Sequence, residues 1–380
     1  MRDSVRGQMT KQSRSRYILC SPWDKPSELD VYNWQDNGPF IKYWIRVFQE
    51  FEEASSLSGL TFYLVWNHIL VPDLPSYGDD VVVVIASDEE CVVPPYVNKV
   101  RFVFKTVGFY PWCGDTLREQ SAASMMKCAR DWTRWARHYA LFLRKNGFSP
   151  KQGRKMVMPM GYARQTDTPG KPFDTRRYFV GFLGSIENRA HPRFSPKRVV
   201  GTPKHIARSR MVDSLQRLVA AAPDSAYFSE TRSFRESTAM GAGERYSEIM
   251  ADTKICLAPR GSSVETYRFF EGMRQGCVVI CNRLPPHWFY EGCPAIQIDD
   301  WGNLEAEIDS LRADPQRLLD LHRKTVDWWR TKLSEPAIGG LIARSLESSD
   351  AAEEAIARLQ TPEHSPLRPH AMTRDDGLGA

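Results

Sequence analysis

The chain lacks the patterns that mark several large protein classes. Its 380 residues contain no run of about 18 apolar residues, so no segment is predicted to span a membrane. The first residues are basic without the apolar core of a signal peptide, which favours a cytoplasmic protein, in solution or at the inner face of the membrane. Eight cysteines without CxxC or Cys/His spacing indicate neither a disulfide framework nor a zinc site.

The composition is that of an ordinary globular protein. Hydrophobic residues make up 42% and charged residues 26%, and a length of 380 residues is typical of two domains. The net charge of +5 is mild and fits anionic substrates or a peripheral contact with a membrane. Only the basic start suggests nucleic acid, and no recognised motif accompanies it, so we expect no nucleic-acid partner.

Apolar strands alternate with amphipathic helical patterns along the chain. Residues 80–88 form a continuous β-branched run, which is typical of a buried parallel strand. Residues 40–51 place apolar side chains on one helical stripe. Such alternation predicts an α/β protein, with parallel sheets covered by helices on both faces.

Pro and Gly residues divide the chain. Residues 156–176 contain three prolines and two glycines, the signature of a linker between domains. The predicted segments are a disordered start (1–15), a first Rossmann-like domain (16–155), the linker (156–176), a second Rossmann-like domain (177–335) and a flexible tail (346–380). We expect the last helix of the second domain to pack back on the first.

The most informative stretch, residues 254–281, has the pattern of one βαβ unit. Ile255 to Ala258 and Val278 to Ile280 are predicted buried strands. Between them, Ser262 and Glu265 have capping-box spacing, which predicts a helix starting at Ser263 and ending at Gly276. Open α/β sheets bind ligands at the carboxyl ends of their strands, so a site is expected in the loop before this helix.

The loop and helix carry groups suited to a nucleotide. A helix start presents free N–H groups and partial positive charge, which favour phosphate. Arg260 and Arg268 lie close by and suit a diphosphate, while the Glu271 carboxylate suits a vicinal diol. The alternatives are an ion pair of Arg268 with Glu271 or Glu265, and a solvated glutamate at position 271.

The same stretch resembles the signature of exostosin-like glycosyltransferases, glycosyltransferase family 47. That signature is an apolar strand with C-L-x-P-x-G, then R-x-x-E-x-x-x-x-G-C and, further on, Asp-Trp. This chain supplies Cys256, Leu257, Pro259, Gly261, Arg268, Glu271, Gly276, Cys277 and Asp300-Trp301. Upstream, residues 177–184 look like the family's R-x-x-x-x-F-x-G opening strand. The resemblance covers roughly residues 175–305.

The resemblance implies a GT-B fold, two Rossmann-like domains facing across a cleft, with a nucleotide-sugar donor in the C-terminal domain. It implies transfer with inversion and without metal, and suggests a uridine diphosphate donor. Glu271 would hold the ribose hydroxyls. The other expected donor-binding residues are Gly184, Ser185, Arg260, Gly261, Ser262, Ser263 and Arg268. Arg189 and Arg232 are further cations in predicted loops.

Carboxylates spaced for a metal are missing from the chain. Metal-dependent sugar transferases generally hold a divalent cation with two spaced carboxylates, and no Asp-x-Asp occurs here. Asp299 and Asp300 are adjacent and are predicted to end a strand. We therefore expect neither metal nor cofactor, with the helix start and arginines neutralising the diphosphate.

An inverting transfer needs a general base, expected from the first domain. Candidates that follow predicted strands are Asp24, His68 and Asp88. The first 170 residues match nothing in the family signature, so the acceptor stays open between a saccharide and a lipid-linked molecule. Alternatives for the whole chain are another GT-B enzyme, such as a fucosyltransferase-like transferase or a sugar-nucleotide epimerase, and a nucleotide-sugar-binding scaffold without activity.

Overall fold

The computed structural model describes most of the chain. The described residues are 13–33, 41–87, 89, 91–112, 114, 122–147, 154–163, 167–186, 202–223, 225–231 and 242–347. Three candidates named above, Asp88, Arg189 and Arg232, lie outside them. Nearly all of the predicted disordered start and flexible tail also lies outside.

The first half of the described chain builds a sheet with strand order β2-β1-β3-β4-β5-β6. Its strands are β1 (Arg16–Cys20), β2 (Ser27–Glu28), β3 (Thr61–Val65), β4 (Gly78–Ile85), β5 (Val100–Thr106) and β6 (Lys155–Met158). All neighbours pair in parallel except β2, which runs antiparallel to β1. Its helices are α1 (Ile41–Ala54) and α2 (Ala122–Asn146).

The second half builds a separate parallel sheet with strand order β11-β10-β9-β7-β8. Its strands are β7 (Tyr178–Gly184), β8 (Ala226–Glu230), β9 (Thr253–Ala258), β10 (Val278–Cys281) and β11 (Ile296–Gln297). Its helices are α3 (Pro203–Ala221), α4 (Ala242–Ala251), α5 (Tyr267–Arg274), α6 (Leu304–Ala313) and α7 (Pro315–Trp328). A last helix, α8 (Glu335–Glu347), follows a π-helical turn over Trp329–Leu333.

The predicted fold class is confirmed. Residues 81–85 of β4 are fully covered, as a β-branched run buried on both faces requires. The two parallel sheets are separate, which is the GT-B arrangement of two Rossmann-like units. One continuous hydrophobic cluster nevertheless joins them, from Tyr17 to Leu346. The domain boundaries therefore stay a prediction, and β6 extends into the segment predicted as a linker.

Near the end of the described residues the chain returns to the first sheet, where α8 packs on α1. A Cβ on Gly339 would lie 2.6 Å from Glu50 Cβ, so the two helices approach as closely as glycine permits. Glu347 accepts hydrogen bonds from Ser55 Oγ at 3.0 Å and the Ser56 amide at 2.7 Å. Helix α8 was not predicted, because Pro336 and two adjacent glycines weaken its helical pattern.

The predicted start of the signature helix was wrong. Helix α5 begins at Tyr267 rather than Ser263, and its N-cap residue Thr266 makes no side-chain cap. Ser263 Oγ instead donates to the backbone oxygen of Glu265 at 2.9 Å. The predicted stop is confirmed, because Gly276 follows the helix with a left-handed φ of 66°.

Among the described helices, none is both long enough and apolar enough to cross a membrane.

Candidate functional site

A cavity of about 290 Å³ lies between the carboxyl ends of the two sheets. Six of the eight predicted donor-binding residues line it: Gly184, Ser185, Gly261, Ser262, Arg268 and Glu271. The other two, Arg260 and Ser263, line a smaller neighbouring cavity of about 50 Å³. The fold thus gathers all eight around two adjoining cavities, in the position where open α/β sheets bind ligands.

Arg268 presents a buried guanidinium edge that its surroundings leave unused. Its Nε donates to the Leu183 backbone oxygen at 2.8 Å, and its plane stacks 4.4 Å from the centre of the Phe182 ring. Its Nη1 is buried and has no hydrogen-bond partner within the described residues. A buried donor without a partner is costly, which makes it a natural contact for an anionic ligand.

Gly184 makes room for that guanidinium. A Cβ at this position would lie 1.9 Å from Arg268 Nη2, far inside contact distance. Its φ of 150° also disfavours other residues. The sequence predicts that a diphosphate approaches the backbone closely at this glycine. The structure shows a more direct reason for glycine here, which is the space that the Arg268 guanidinium occupies.

Glu271 lines the cavity but is not the solvated helix glutamate of the alternative interpretation. It is 2% exposed, accepts a hydrogen bond from the Ala163 amide at 3.1 Å, and accepts another from Tyr246 Oη at 2.7 Å. Burial, reinforced by the neighbouring Glu271, raises the pKa of Tyr246 well above its usual range. The phenol therefore stays protonated and donates to the carboxylate.

Helix α3 adds two cations that were not predicted. Lys204 and Arg208 both line the cavity. Lys204 Nζ donates to Ser185 Oγ at 3.3 Å, and Arg208 donates to the Ser185 backbone oxygen. Thr202 caps this helix by accepting from the His205 amide, with Pro203 in the first turn. That Thr-Pro start is a helix N-terminus signal that is visible in the sequence.

The loop before α5 contributes hydroxyl groups. Ser262 lines the larger cavity, and so does Thr266, which was not predicted. The Thr266 Oγ1 atom is buried and has no hydrogen-bond partner in the part of the chain that the structure describes. It is therefore a second unused polar group beside Arg268.

The smaller cavity holds Arg260. Its backbone amide donates to Asn282 Oδ1 at 2.9 Å, and burial lowers the pKa of its guanidinium to about 10. Its Nε has no hydrogen-bond partner among the described residues. Helix α2 lines the same cavity with Lys127, Asp131 and Arg134.

Glu265 is a buried carboxyl shared by both cavities. Its Oε1 accepts from Tyr290 Oη at 2.8 Å, while its Oε2 lies 3.9 Å from His287 Nε2 without a hydrogen bond. Burial raises the pKa of Glu265 to about 7 and lowers that of His287 to about 3. Burial thus shifts both groups toward their neutral forms, and the predicted capping role of Glu265 is replaced by contacts within the core.

Of the three predicted general bases, the two that the structure describes do not line these cavities. Asp24 is exposed, and His68 is buried in the loop after β3; neither lines either cavity. Asp88 lies outside the described residues, but the adjacent Glu89 follows β4 of the first sheet and lines both cavities. The base assignment stays a prediction, with Glu89 added to it.

The adjacent aspartates near β11 are engaged elsewhere. Asp299 pairs with Arg283 at 2.6 Å, and Asp300 Oδ1 accepts from the Gly302 amide at 2.9 Å. Over the described ranges, no three His, Cys, Asp or Glu side chains cluster as a metal site would require. Cys128 of α2 is disulfide-bonded, and its partner lies outside the described residues.

Comparison with known proteins gives one short sequence match, and no family model matches. The Exostosin-1 homolog of Caenorhabditis elegans is 32% identical over 84 residues. The match covers 21% of this chain and 20% of that protein, so only about a fifth of the relative's length is represented.

Several solved structures share the outline of the fold. The pneumococcal O-GlcNAc transferase GtfA, in complex with UDP and GlcNAc, is 12% identical, with 85% of this chain and 61% of that chain covered and a TM-score of 0.41. The glycotransferase of kitacinnamycin is 12% identical, with 87% and 98% covered and a TM-score of 0.39. These scores stay below 0.5, and the likeness assigns no function to this chain.

Proposed function

We propose that the protein is an inverting glycosyltransferase that moves a sugar from a nucleotide-sugar donor to a saccharide or lipid-linked acceptor. One observation carries the proposal. Arg268 holds an unpartnered, buried Nη1 beside Gly184, in the same cavity as the Glu271 carboxylate. A cationic fork and a carboxylate in one cavity are complementary to the diphosphate and the ribose diol of a nucleotide.

The donor groups follow from that arrangement. Arg268, Thr266 and Lys204 would contact the diphosphate, and Glu271 would accept hydrogen bonds from the ribose hydroxyls. Tyr246 and the Ala163 amide fix the orientation of Glu271, so its carboxylate is positioned before the donor arrives. We favour uridine as the nucleoside because of the resemblance to the exostosin-like family.

The transfer itself is a single displacement. The acceptor hydroxyl oxygen bonds to the anomeric carbon while the bond from that carbon to the diphosphate breaks, which inverts the anomeric centre. A carboxylate takes the hydroxyl proton, and the nucleoside diphosphate leaves with the electron pair. Glu89 is the base we favour, because it is exposed, follows β4 of the first sheet and lines both cavities.

Negative charge grows on the departing diphosphate and must be neutralised. Arg268, Lys204 and Arg208 line the larger cavity and supply fixed cations. We therefore propose transfer without a metal or cofactor, in the synthesis of a polysaccharide or glycoconjugate.

Other GT-B activities share the same donor chemistry. A fucosyltransferase-like enzyme would use the same diphosphate contacts with a different nucleotide, whereas an epimerase would change its substrate without any acceptor. A binding scaffold would hold the donor and leave it unchanged. The products formed from a bound donor therefore separate these alternatives.

The test starts from a panel of nucleotide sugars. We expect one of them to raise the melting temperature of the protein, and Arg268→Gln to remove the increase, while the exposed control Arg323→Gln retains it. The stabilising compound is then incubated alone and with candidate acceptors. If nucleoside diphosphate is released faster when the acceptor is present, the result supports transfer. Conversion to an epimer, or stabilisation without any turnover, would reject it.

A further inference from the structure

Helix α2 exposes an unusual amount of apolar surface. Ten large hydrophobic side chains are exposed in the described chain, and five of them belong to this helix: Met125, Met126, Trp132, Tyr139 and Leu141. Met126 is 57% and Trp132 is 43% exposed. None of the side chains described along α2 is buried, although the helix is 25 residues long. Exposed apolar patches of this kind mark interaction sites.

Three of the five exposed apolar residues form a stripe. Met125, Trp132 and Tyr139 are seven residues apart, so they lie on one side of the helix about two turns from each other. Trp135 stacks on Tyr139 with ring centres 5.0 Å apart, and meets Trp132 edge-on at 5.4 Å. The aromatic rings therefore present a continuous surface.

The charges of α2 are almost all of one sign. The helix has a single acidic residue, Asp131, and its basic residues include Lys127, Arg130, Arg134, Arg137 and Arg144. Lys127 and Arg130 both pair with Asp131, whereas no ion pair within the described residues engages Arg137 or Arg144. The helix therefore combines an aromatic stripe with an excess of arginine.

Trp135 and three charged side chains fix how α2 sits on the protein. Trp135 Nε1 donates to the Phe109 backbone oxygen at 2.9 Å, which ties the helix to the segment after β5. Lys127, Asp131 and Arg134 line the smaller cavity. The helix thus has one side on the cavity and the other side in solvent.

We propose that α2 is a membrane-docking helix that lies flat in the interface of an anionic lipid bilayer. Aromatic and methionine side chains would enter the boundary between head groups and acyl chains, while the arginines contact anionic head groups. This surface does not depend on the proposed function. If both hold, the bilayer brings a lipid-linked acceptor to the helix that lines the smaller cavity, which favours that acceptor over a free saccharide.

Two other occupants fit the surface less well. A second copy of α2 would bring two strongly basic helices together and repel them. Nucleic acid would neutralise the arginines but would leave Met125 in water. An anionic membrane satisfies both the charge and the apolar stripe.

The test is sedimentation of the full-length protein with vesicles of phosphatidylcholine, with or without phosphatidylglycerol. We expect binding to the anionic vesicles only, and protection of residues 122–146 from hydrogen exchange when bound. The double variant Arg137→Glu/Arg144→Glu should reduce partitioning by about tenfold or more. Trp132→Ser should reduce it several-fold without changing the melting temperature, because its ring is exposed.

Matched controls lie on other elements. Trp23 is 70% exposed outside α2, and Trp23→Ser should leave binding unchanged. The double variant Arg323→Glu/Arg330→Glu changes the net charge by the same amount, at exposed residues of α7 and the following turn. It should reduce vesicle binding less than the α2 double variant does. Equal sedimentation with both lipids, or equal loss in both charge-reversal variants, would overturn the proposal. So would a lipid-free dimer, or a complex with duplex DNA, that Trp132→Ser abolishes.

Discussion

The Arg268 guanidinium fills the space that any side chain on Gly184 would need, with 1.9 Å separating Nη2 from the position of a Cβ. The two residues come from different signature segments of the sequence, the opening strand and the helix of the βαβ unit. Their contact joins β7 to α5 at the floor of the cavity.

Gly184→Ala should therefore displace Arg268 and weaken donor binding about tenfold or more, since a charged hydrogen bond contributes roughly 1.5–3 kcal/mol. Isothermal titration calorimetry with the stabilising nucleotide sugar measures the effect. Gly59→Ala is the control, because Gly59 also has a positive φ but has nothing within 4 Å of its Cβ position. Equal donor affinity in Gly184→Ala and the parent would contradict the contact.

Glu271→Ala should weaken donor binding by about 1–3 kcal/mol, the cost of losing charged hydrogen bonds to the ribose. The burial of Glu271 adds a second expectation, which is a lower melting temperature, because Ala163 and Tyr246 lose their acceptor. Tyr246→Phe separates the two effects. It removes one hydrogen bond to the carboxylate and should retain most of the donor affinity. Unchanged affinity in folded Glu271→Ala would end the ribose assignment.

Arg268→Lys keeps the charge but loses the planar fork, so kcat should fall more than donor affinity. Steady-state kinetics and calorimetry on the same preparation give both values. Equal losses in the two, or no loss in either, would indicate that Arg268 serves packing through Leu183 and Phe182 instead.

Stability should respond to pH through Glu265. Its folded-state pKa of about 7 lies above the ordinary value of 4.5, so the unfolded chain ionises first as pH rises. The free energy of unfolding therefore decreases between these two values. Glu265→Gln removes this decrease, and from about pH 5 to about pH 8 the variant should gain roughly 1–3 kcal/mol relative to the parent. Chemical denaturation at both pH values measures it, with exposed Glu291→Gln as control. A difference independent of pH would exclude a raised pKa.

Transfer should persist in excess EDTA, because cations of the protein neutralise the leaving diphosphate. The product should carry the inverted anomeric configuration, which proton NMR of the new glycosidic bond reports. Activity lost in EDTA and restored by magnesium or manganese would send the search for ligands to Asp299 and Asp300. A retained configuration would contradict the single displacement.

The fold was largely predictable from local pattern. The valine run of β4 and the glycine stop after α5 each specify their own structure, and both predictions are confirmed. The capping-box prediction at Ser262 and Glu265 was wrong for a non-local reason. The Tyr290 hydroxyl, 25 residues further on, donates a hydrogen bond to the buried Glu265 carboxyl, which is therefore not available to cap the helix.

The candidate site was predictable only where one segment supplies it. Arg268 and Glu271 lie three residues apart on one helix, so helical periodicity alone places them together. Lys204 and Tyr246 come from other helices, and only the assembled sheets bring them to the cavity. The Thr-Pro start of α3 predicts that Lys204 lies in the first turn of a helix. No local pattern, however, connects Lys204 to Ser185.

The packing of α8 on α1 has a consequence for how the protein is made. Ser55 and Glu347 are 292 residues apart, so their hydrogen bond can form only after that length of chain has been synthesised. At bacterial or eukaryotic synthesis rates that interval is on the order of 15–60 s. During this interval, the α1 surface on which Gly339 packs has left the ribosome and is not yet covered by α8. The first half of the protein thus depends on a helix translated more than 280 residues after α1, and chains that stop before α8 expose that surface to chaperones and proteases.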